Sequence, residues 1–301
     1  MERKLSYNIE RAISVGEFLK KELHLSKRQI SSLKFRENGI SVNGVQKRVN
    51  DMLAPGECLV LQIEEQGRAS DHLVKGEGVL QVLYEDEDVL VVNKPAGILV
   101  HPVGGHFADT LSNMAAAYYQ EKGQQVVIRP VGRLDKDTSG AVLFAKNQLS
   151  AARLSGEKDA GGFKKEYLAI VKGRFRERQG EIQTPIGPCP GKILKMQVDL
   201  QNGKSAHTAY EVLTAFSESS LVKVWIATGR THQIRVHMAS IGHPLLGDSL
   251  YGKASPEIKR AALHAAEITF RQPFSGKTCS VKAPLPEDFQ KYLKKEGWSC
   301  D

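Results

Sequence analysis

The sequence predicts an α+β fold: a predominantly antiparallel or mixed sheet with few helices, preceded by a small module of its own. Three observations carry this. Short β-type apolar runs recur from about residue 79 onward, "VLVVN", "AVLFAK", "EYLAIVKG", "TAYEVLTAF", "LVKVWIAT", "AAEITF" and "TCSVKAP" among them. Over that same stretch helical patterns are fewer, chiefly near residues 109 to 122, 148 to 158 and 231 to 242. A polar, Gly-punctuated stretch, "EEQGRASDHLVKGEG", sets the first 66 residues apart.

The module comes first, over residues 1 to 66. Val15, Phe18, Leu19 and Leu23 fall at helical spacing, and Ser26 is placed to cap a second helix carrying Ile30 and Leu33. Asn38-Gly39 and Asn43-Gly44 are turn signals inside an alternating run, and "GECLVLQI" reads as a strand. Residues 67 to 78 are expected to be a linker, and residues 79 to 301 a single enzyme-sized domain.

Bulk properties bound the function. The 301 residues carry 42 basic and 34 acidic side chains, a net charge of +8, with a pI near 9.2. Such a surplus suits a polyanionic partner. The four cysteines, Cys58, Cys189, Cys279 and Cys300, form no CxxC pair, which speaks against a zinc cluster or a disulfide framework. "MERKLSYNIE" is too polar for a secretory core, and no apolar run is long enough to cross a bilayer. A soluble, cytoplasmic protein is expected, by default a monomer.

The module concentrates cations: Lys27, Arg28, Lys34, Arg36, Lys47 and Arg48. Converging on one side of a small fold, they would neutralise phosphates without reading bases. A solvated charged face is the competing explanation.

Chemistry concentrates in the larger domain. "RPVGRLDKDTSGAVLFAK" packs Arg133, Asp135, Lys136, Asp137, Thr138 and Ser139 between two apolar runs. "VVNKPAGILVHP" places Asn93, Lys94 and Pro95 directly after a strand, and "FKKEYLAIVKG" opens one with Lys164, Lys165 and Tyr167. "IATGRTHQIRVHMASIGHPLLGDSLYG" then gathers Arg230, His232, Gln233, Arg235 and His237. Polar residues at several strand ends of one domain are how a catalytic cleft shows in sequence. Metal chemistry is not expected, because the histidines lack zinc-ligand spacing and no Cys joins them. No Gly-rich phosphate loop follows a strand, and Asp135 and Asp137 point to opposite sides of an extended loop, so neither a nucleotide cofactor nor a glycosidase-type carboxylate pair fits.

These segments resemble the RluA family of RNA pseudouridine synthases, whose signatures are "VxNKPxGxxVHP", "HRLDxxTSG", "KxY" and "TGRxHQIRxHxxxxGxPxxGDxxYG"; all four occur in order over residues 80 to 252. Residues 13 to 64 resemble the α-L (S4-like) RNA-binding domain, with Ser26-Lys27-Arg28 opening its RNA-facing helix and Phe35-Arg36-Glu37 departing from the usual helix end. The resemblance implies a pseudouridine synthase fold with an eight-stranded, mainly antiparallel sheet, RNA as partner, and no cofactor or metal. It implies Asp135 as the catalytic aspartate, Tyr167 as stacking and proton-transfer residue, and Arg235 as the cation paired with Asp135. Arg133 would hold the flipped-out nucleotide or fill its place, Ile234 would line the pocket, and Arg230, His232 and Gln233 would adjoin the substrate. Gly132 stands where many members have His.

The chemistry suits those residues. Breaking the N1–C1′ bond of an extruded uridine needs a carboxylate, as nucleophile at C1′ or base at C2′. A guanidinium keeps that acid charged where burial would neutralise it. Ribosomal RNA of the large subunit is the expected substrate, with transfer RNA, or a non-catalytic role in RNA binding or ribosome assembly, as alternatives. Asp135→Ala separates enzyme from binder.

Overall fold

Each apolar run of the sequence becomes a strand because a sheet covered on both faces can bury uninterrupted Val, Leu and Phe. The computed structural model describes the chain except residues 1, 24, 65–72, 74, 75, 77, 125, 193 and 299–301.

In the module, β1 (Glu2–Asn8), β2 (Ile13–Ser14), β3 (Ile40–Val42), β4 (Val45–Gln46), β5 (Met52–Leu53) and β6 (Cys58–Glu64) accompany two helices. The main sheet has the order β1-β6-β3-β4 and is antiparallel throughout. Helix α1 (Val15–Glu17) runs on through a wide turn, Phe18–Glu22, closed by the bond from Leu23 N–H to the Phe18 carbonyl. Helix α2 (Lys27–Lys34) begins at a capping box: the Ser26 hydroxyl accepts from Gln29 N–H, and the Gln29 side chain accepts from Ser26 N–H at 2.7 Å. Asn43 and Gly44, both at positive φ (49° and 83°), turn β3 into β4 as the Asn-Gly pair predicts.

Strand β1 was not foreseen. It lies at the edge of the sheet, where Leu5 and Tyr7 alternate with polar residues, and the charges among them mask the pattern. The module packs on helix α4 (Gln148–Asp159) of the larger domain: Leu149 enters the module's core and Gln29 Nε2 donates to the Gln148 carbonyl at 3.0 Å. Arg153 lies between the rings of Tyr7 and Phe274 and donates to the Tyr7 hydroxyl at 3.0 Å and to the Pro273 carbonyl. Of the expected linker, residues 67 to 78, most lies outside the described residues; Leu73 is buried in the large core.

The larger domain is built from β7 (Val82–Glu85), β8 (Val89–Lys94), β9 (Arg129–Pro130), β10 (Ser139–Ala145), β11 (Lys164–Lys172), β12 (Gln179–Ile182), β13 (Ile186–Pro188), β14 (Met196–Val198), β15 (Thr208–Ala215), β16 (Ser219–Ile226), β17 (Leu263–Arg271) and β18 (Thr278–Lys282). Eight strands form the continuous path β12-β15-β16-β11-β17-β10-β8-β7, and β9, paired with β10, and β18, paired with β17, make ten. Only β10 and β17 run parallel, where Ser139 faces His264 and Gly140 faces Ala265. Every residue of β10 is buried. Val142 and Phe144 pack with Leu111 and Ala115 of helix α3 (Leu111–Glu121), whereas Ala141, Leu143 and Ala145 pack with Leu154 of α4. Helix α5 (Gln233–Ser240) falls within the third expected helical segment; α6 (Glu287–Lys295), which buries Phe289, Tyr292 and Leu293 after Pro286, was not expected.

Candidate active site

The charged knot lies between β9 and β10, and its backbone is tied down residue by residue. Asp135 carbonyl accepts from Thr138 N–H at 3.1 Å, closing a turn. Lys136 carbonyl accepts from Gly97 N–H and from Lys94 Nζ, both at 2.9 Å. Asp137 carbonyl accepts from Arg260 Nη1 at 3.0 Å. The turn therefore holds the three carbonyls of Asp135, Lys136 and Asp137, which fixes the half-buried Asp135 side chain above the sheet.

Two cations do most of this. Lys94 is fully buried at the end of β8, and its ammonium spreads its three donors over the carbonyls of Pro95, Ile98 and Lys136 at 2.8 to 2.9 Å. Burial pulls it down to about 7, with Asp137 working in the opposite direction. Arg260 forks onto Asp288 of α6 at 2.7 and 3.0 Å while its remaining donors reach Asp137, Ala261 and Leu263 carbonyls and the Ser139 hydroxyl. Ser139 Oγ also meets His264 Nδ1 at 2.9 Å. The Ser139 hydroxyl thus bonds side chains. Gly140 is required by space: a Cβ there would sit 2.2 Å from the Ala265 carbonyl oxygen, where the parallel strands meet.

Beside the knot is a cleft lined by Arg133, Asp135, Tyr167, Arg230, Gln233 and Ile234, with Leu134, Thr138, Ile226, Gly229, Thr231 and Leu263 completing its wall. The loop before β10, strand β11 and the loop leading into α5 thus bring the candidate residues together from three sequence segments. Tyr167 sits at a register shift in β11, a bulge that re-aims the side chain, and it is buried. Burial, and after it the charge of Asp135, push its phenol above the ordinary value.

Arg235 corrects the expectation. Its guanidinium does not take Asp135 as its direct partner; it forks onto Asp248, Nε to Oδ2 at 2.7 Å and Nη2 to Oδ1 at 2.8 Å. Burial works against both charges, and the mutual hydrogen bonds and attraction outweigh it, raising Arg235 and lowering Asp248. Asp135 acts on Arg235 through space, as a weaker influence than Asp248. The reason is local: α5 presents Arg235 to the turn holding Asp248, whose Oδ1 also accepts from the amides of Leu250 and Tyr251.

The other loop residues divide. Gln233 is buried, and its amide is engaged within the protein: Oε1 accepts from Thr228 Oγ1 and Arg230 N–H, and Nε2 donates to the His207 carbonyl and Thr208 Oγ1. It walls the cleft and leaves no free donor for a ligand. His232 opens α5 at φ 56° and its Nδ1 meets the Tyr251 hydroxyl at 2.9 Å; burial lowers it. His237 bridges Thr208 Oγ1 and the Thr184 carbonyl, both at 2.9 Å. Arg230 is exposed and anchored by Nε on the Ser205 carbonyl, and Arg133 is exposed.

On the module, Lys27, Arg28 and Lys34 of α2 are exposed, as is Arg48, and Lys47 is half-buried. Lys27 and Lys34, seven apart, share a helix face, and Arg28 lies about 100° round from them. Arg36 differs from the rest: it is half-buried and its Nη1 reaches the Gln62 carbonyl at 3.5 Å.

Sequence reasoning missed Asp248 and Arg260 as structural partners of the site, and it marked Lys94 only as a polar residue at a strand end. Asp248 was in view within "GDSLYG"; a guanidinium near several acids does not announce which one it will choose.

Comparison with known proteins identifies the family. A family model described as RNA pseudouridylate synthase matches residues 88–240. The chain is 37% identical over 276 residues to an uncharacterized RNA pseudouridine synthase, YjbO, of Bacillus subtilis (strain 168), covering 92% of this chain and 97% of the relative. It is 40% identical over 229 residues to ribosomal large subunit pseudouridine synthase D of Zymomonas mobilis, covering 71% and 72%. Among solved structures, human RNA pseudouridylate synthase domain containing 1 superposes with a TM-score of 0.58 at 28% identity, over 69% of this chain and 84% of that one. The chain belongs to the RNA pseudouridylate synthase family and is an isomerase of uridine in RNA.

Proposed function

We propose that this enzyme isomerises selected uridines of large-subunit ribosomal RNA, with Asp135 as the acting carboxylate. The observation that carries the reading is the position of Asp135: a pinned loop holds it at a cleft whose floor is the buried ring of Tyr167 and whose rim is Arg133. Relatives named ribosomal large subunit pseudouridine synthase D, up to 40% identical, support the substrate class.

The sequence of events follows from the chemistry. A uridine is drawn out of its stack at a cost on the order of a few kcal/mol, and the exposed Arg133 and Arg230 favour the displaced, phosphate-rich strand. Asp135 then attacks C1′ or removes a proton at C2′; both routes release N1 from C1′. The uracil turns on the flat face of Tyr167 and C5 bonds to C1′ as the Asp135–C1′ ester breaks or, on the other route, as C2′ regains its proton from Asp135; the C5 proton then leaves and N1 gains one, so atoms balance without a co-reactant. The Tyr167 hydroxyl is the proposed handler of the C5 proton. Arg235, held by Asp248, stands as a fixed positive charge within electrostatic reach of Asp135.

The module, residues 1 to 66, is read as an α-L type RNA grip that uses Lys27, Arg28, Lys34, Lys47 and Arg48, ahead of a catalytic domain over residues 79 to 301, in a cytoplasmic monomer. Mapping pseudouridines by primer-extension stops in ribosomal and transfer RNA, from cells with the gene, without it, and with Asp135→Ala, tests the reading. Stops in large-subunit RNA that vanish in both altered strains support it. Stops lost only from transfer RNA overturn the substrate, and an Asp135→Ala strain that retains every stop overturns the mechanism.

A further inference from the structure

The glycine that departs from the family pattern, Gly132, borders an arrangement of charge that the reaction scheme leaves unused. A Cβ built on it would lie 3.7 Å from Lys165 Nζ and 3.9 Å from Lys158 Nζ. Two ammonium groups, one from the last turn of α4 and one from the start of β11, therefore converge on the backbone next to Arg133. Of the acids beside them in sequence, Glu157 pairs with Arg271 and Glu166 with Lys223. No ion pair to either lysine is found among the described residues.

Like charges do not gather at a half-buried point without cost. The cost is visible at Lys165, which is lowered to about 8 by burial first and by Lys158 second. It is offset when an anion sits between the two ammonium groups. At Gly132, with φ at 83°, the backbone leaves the space open, and a side chain there would fill it. The site adjoins the loop that carries Asp135, so the anion it meets in use belongs to the strand that delivers the uridine.

We propose that Lys158 and Lys165 form a phosphate-binding site over Gly132, which holds a backbone phosphodiester of the RNA strand beside the extruded uridine. This rests on the reading of the neighbouring cleft as the uridine site. The pair fixes the strand while Arg133 works at the base, so backbone grip and base extrusion come from adjacent but separate side chains. A free thermodynamic consequence is that RNA binding raises the proton affinity of Lys165, and affinity weakens as pH climbs past about 8.

The test uses the full-length protein and a fluorescein-labelled single-stranded 20-nucleotide RNA containing one uridine. Kd is measured from low to moderate KCl for wild type, Lys158→Met, Lys165→Met, the double variant and Lys165→Arg. Neutralising one phosphate contributes about 0.7 to the slope of log Kd against log salt for a single strand. The double variant is expected to lose about that much slope, and Lys165→Arg to retain it and to bind independently of pH between 7 and 9. Lys158 is exposed, so its variant reports even if the Lys165 variant folds poorly. A double variant with wild-type slope and Kd overturns the site. If that result comes with normal pseudouridine formation, the reading of function stands; loss of pseudouridine formation by Asp135→Ala alone separates the two.

Discussion

Asp248→Asn is the sharpest test of how the site is held. The pair it disrupts is almost free of solvent, with the Arg235 side chain 9% and the Asp248 side chain 0% exposed, and two hydrogen bonds of 2.7 and 2.8 Å join them. Asparagine keeps the size and the Oδ1 acceptor that serves the amides of Leu250 and Tyr251, but it removes the charge and sets an NH2 donor where Oδ2 accepted from Arg235 Nε. An unpaired guanidinium in such a place costs about 3–5 kcal/mol. For a domain of this size each kcal/mol lowers Tm by about 2–4 °C, so a fall of roughly 6–20 °C is expected. Urea denaturation and scanning calorimetry both read it. Removing the pair together, Arg235→Met with Asp248→Leu, should restore much of the stability while abolishing turnover. A loss below about 1 kcal/mol for Asp248→Asn, the range of a solvated surface pair, would refute the account.

Other substitutions probe neighbouring parts. Tyr167→Phe keeps the buried ring and should change stability by less than about 1 kcal/mol, while kcat falls about 10²- to 10⁴-fold if the hydroxyl handles a proton; an unchanged kcat in single-turnover assays removes that role. Arg260→Lys retains charge but not the fork that ties Asp288 to the Asp137 carbonyl, so kcat should drop about tenfold to a hundredfold with KM nearly constant, and a KM effect alone would point to RNA contact instead. His264 is lowered by burial to about 4, below its unfolded 6.5, so the unfolded chain binds the extra proton between those values and stability falls as pH drops through them. The difference amounts to about 3 kcal/mol below pH 4, of which about 2 kcal/mol is lost by pH 5, and it should be missing in His264→Gln, compared by urea titrations at pH 7.5, 6 and 5; parallel pH profiles for the two proteins would count against it.

How far the fold could be read in advance depended on which physical signal each segment carried. Strands β8 and β10 were legible because both their faces are covered, which leaves only apolar residues in the run. Ser26 and the Asn43-Gly44 pair were legible because capping and positive φ have few chemical solutions. Strand β1 was not, since one edge in water tolerates the charges that erase periodicity. For the site, clustering of Asp135, Tyr167 and the α5 loop could be expected from strand ends. The partner of Arg235 could not, because Asp248 and Asp135 lie on different chain segments and only the path of the backbone after α5 decides between them. Arg260 carried no local signal: its role depends on α6, near the end of the chain, folding back over a loop more than a hundred residues earlier.

The triple tether of the Asp135 loop has a consequence for what the enzyme will accept. A carboxylate whose own carbonyl and the next two are anchored has no room to reach toward a badly presented target. All adaptation then falls to the nucleic acid, and discrimination becomes a matter of how cheaply a given nucleotide leaves its neighbours. Uridines in bulges, loop apices and mismatched steps, which are already half out, should be selected over those in perfect helices. In this sense rigidity on the protein side serves as a mechanical filter on RNA softness.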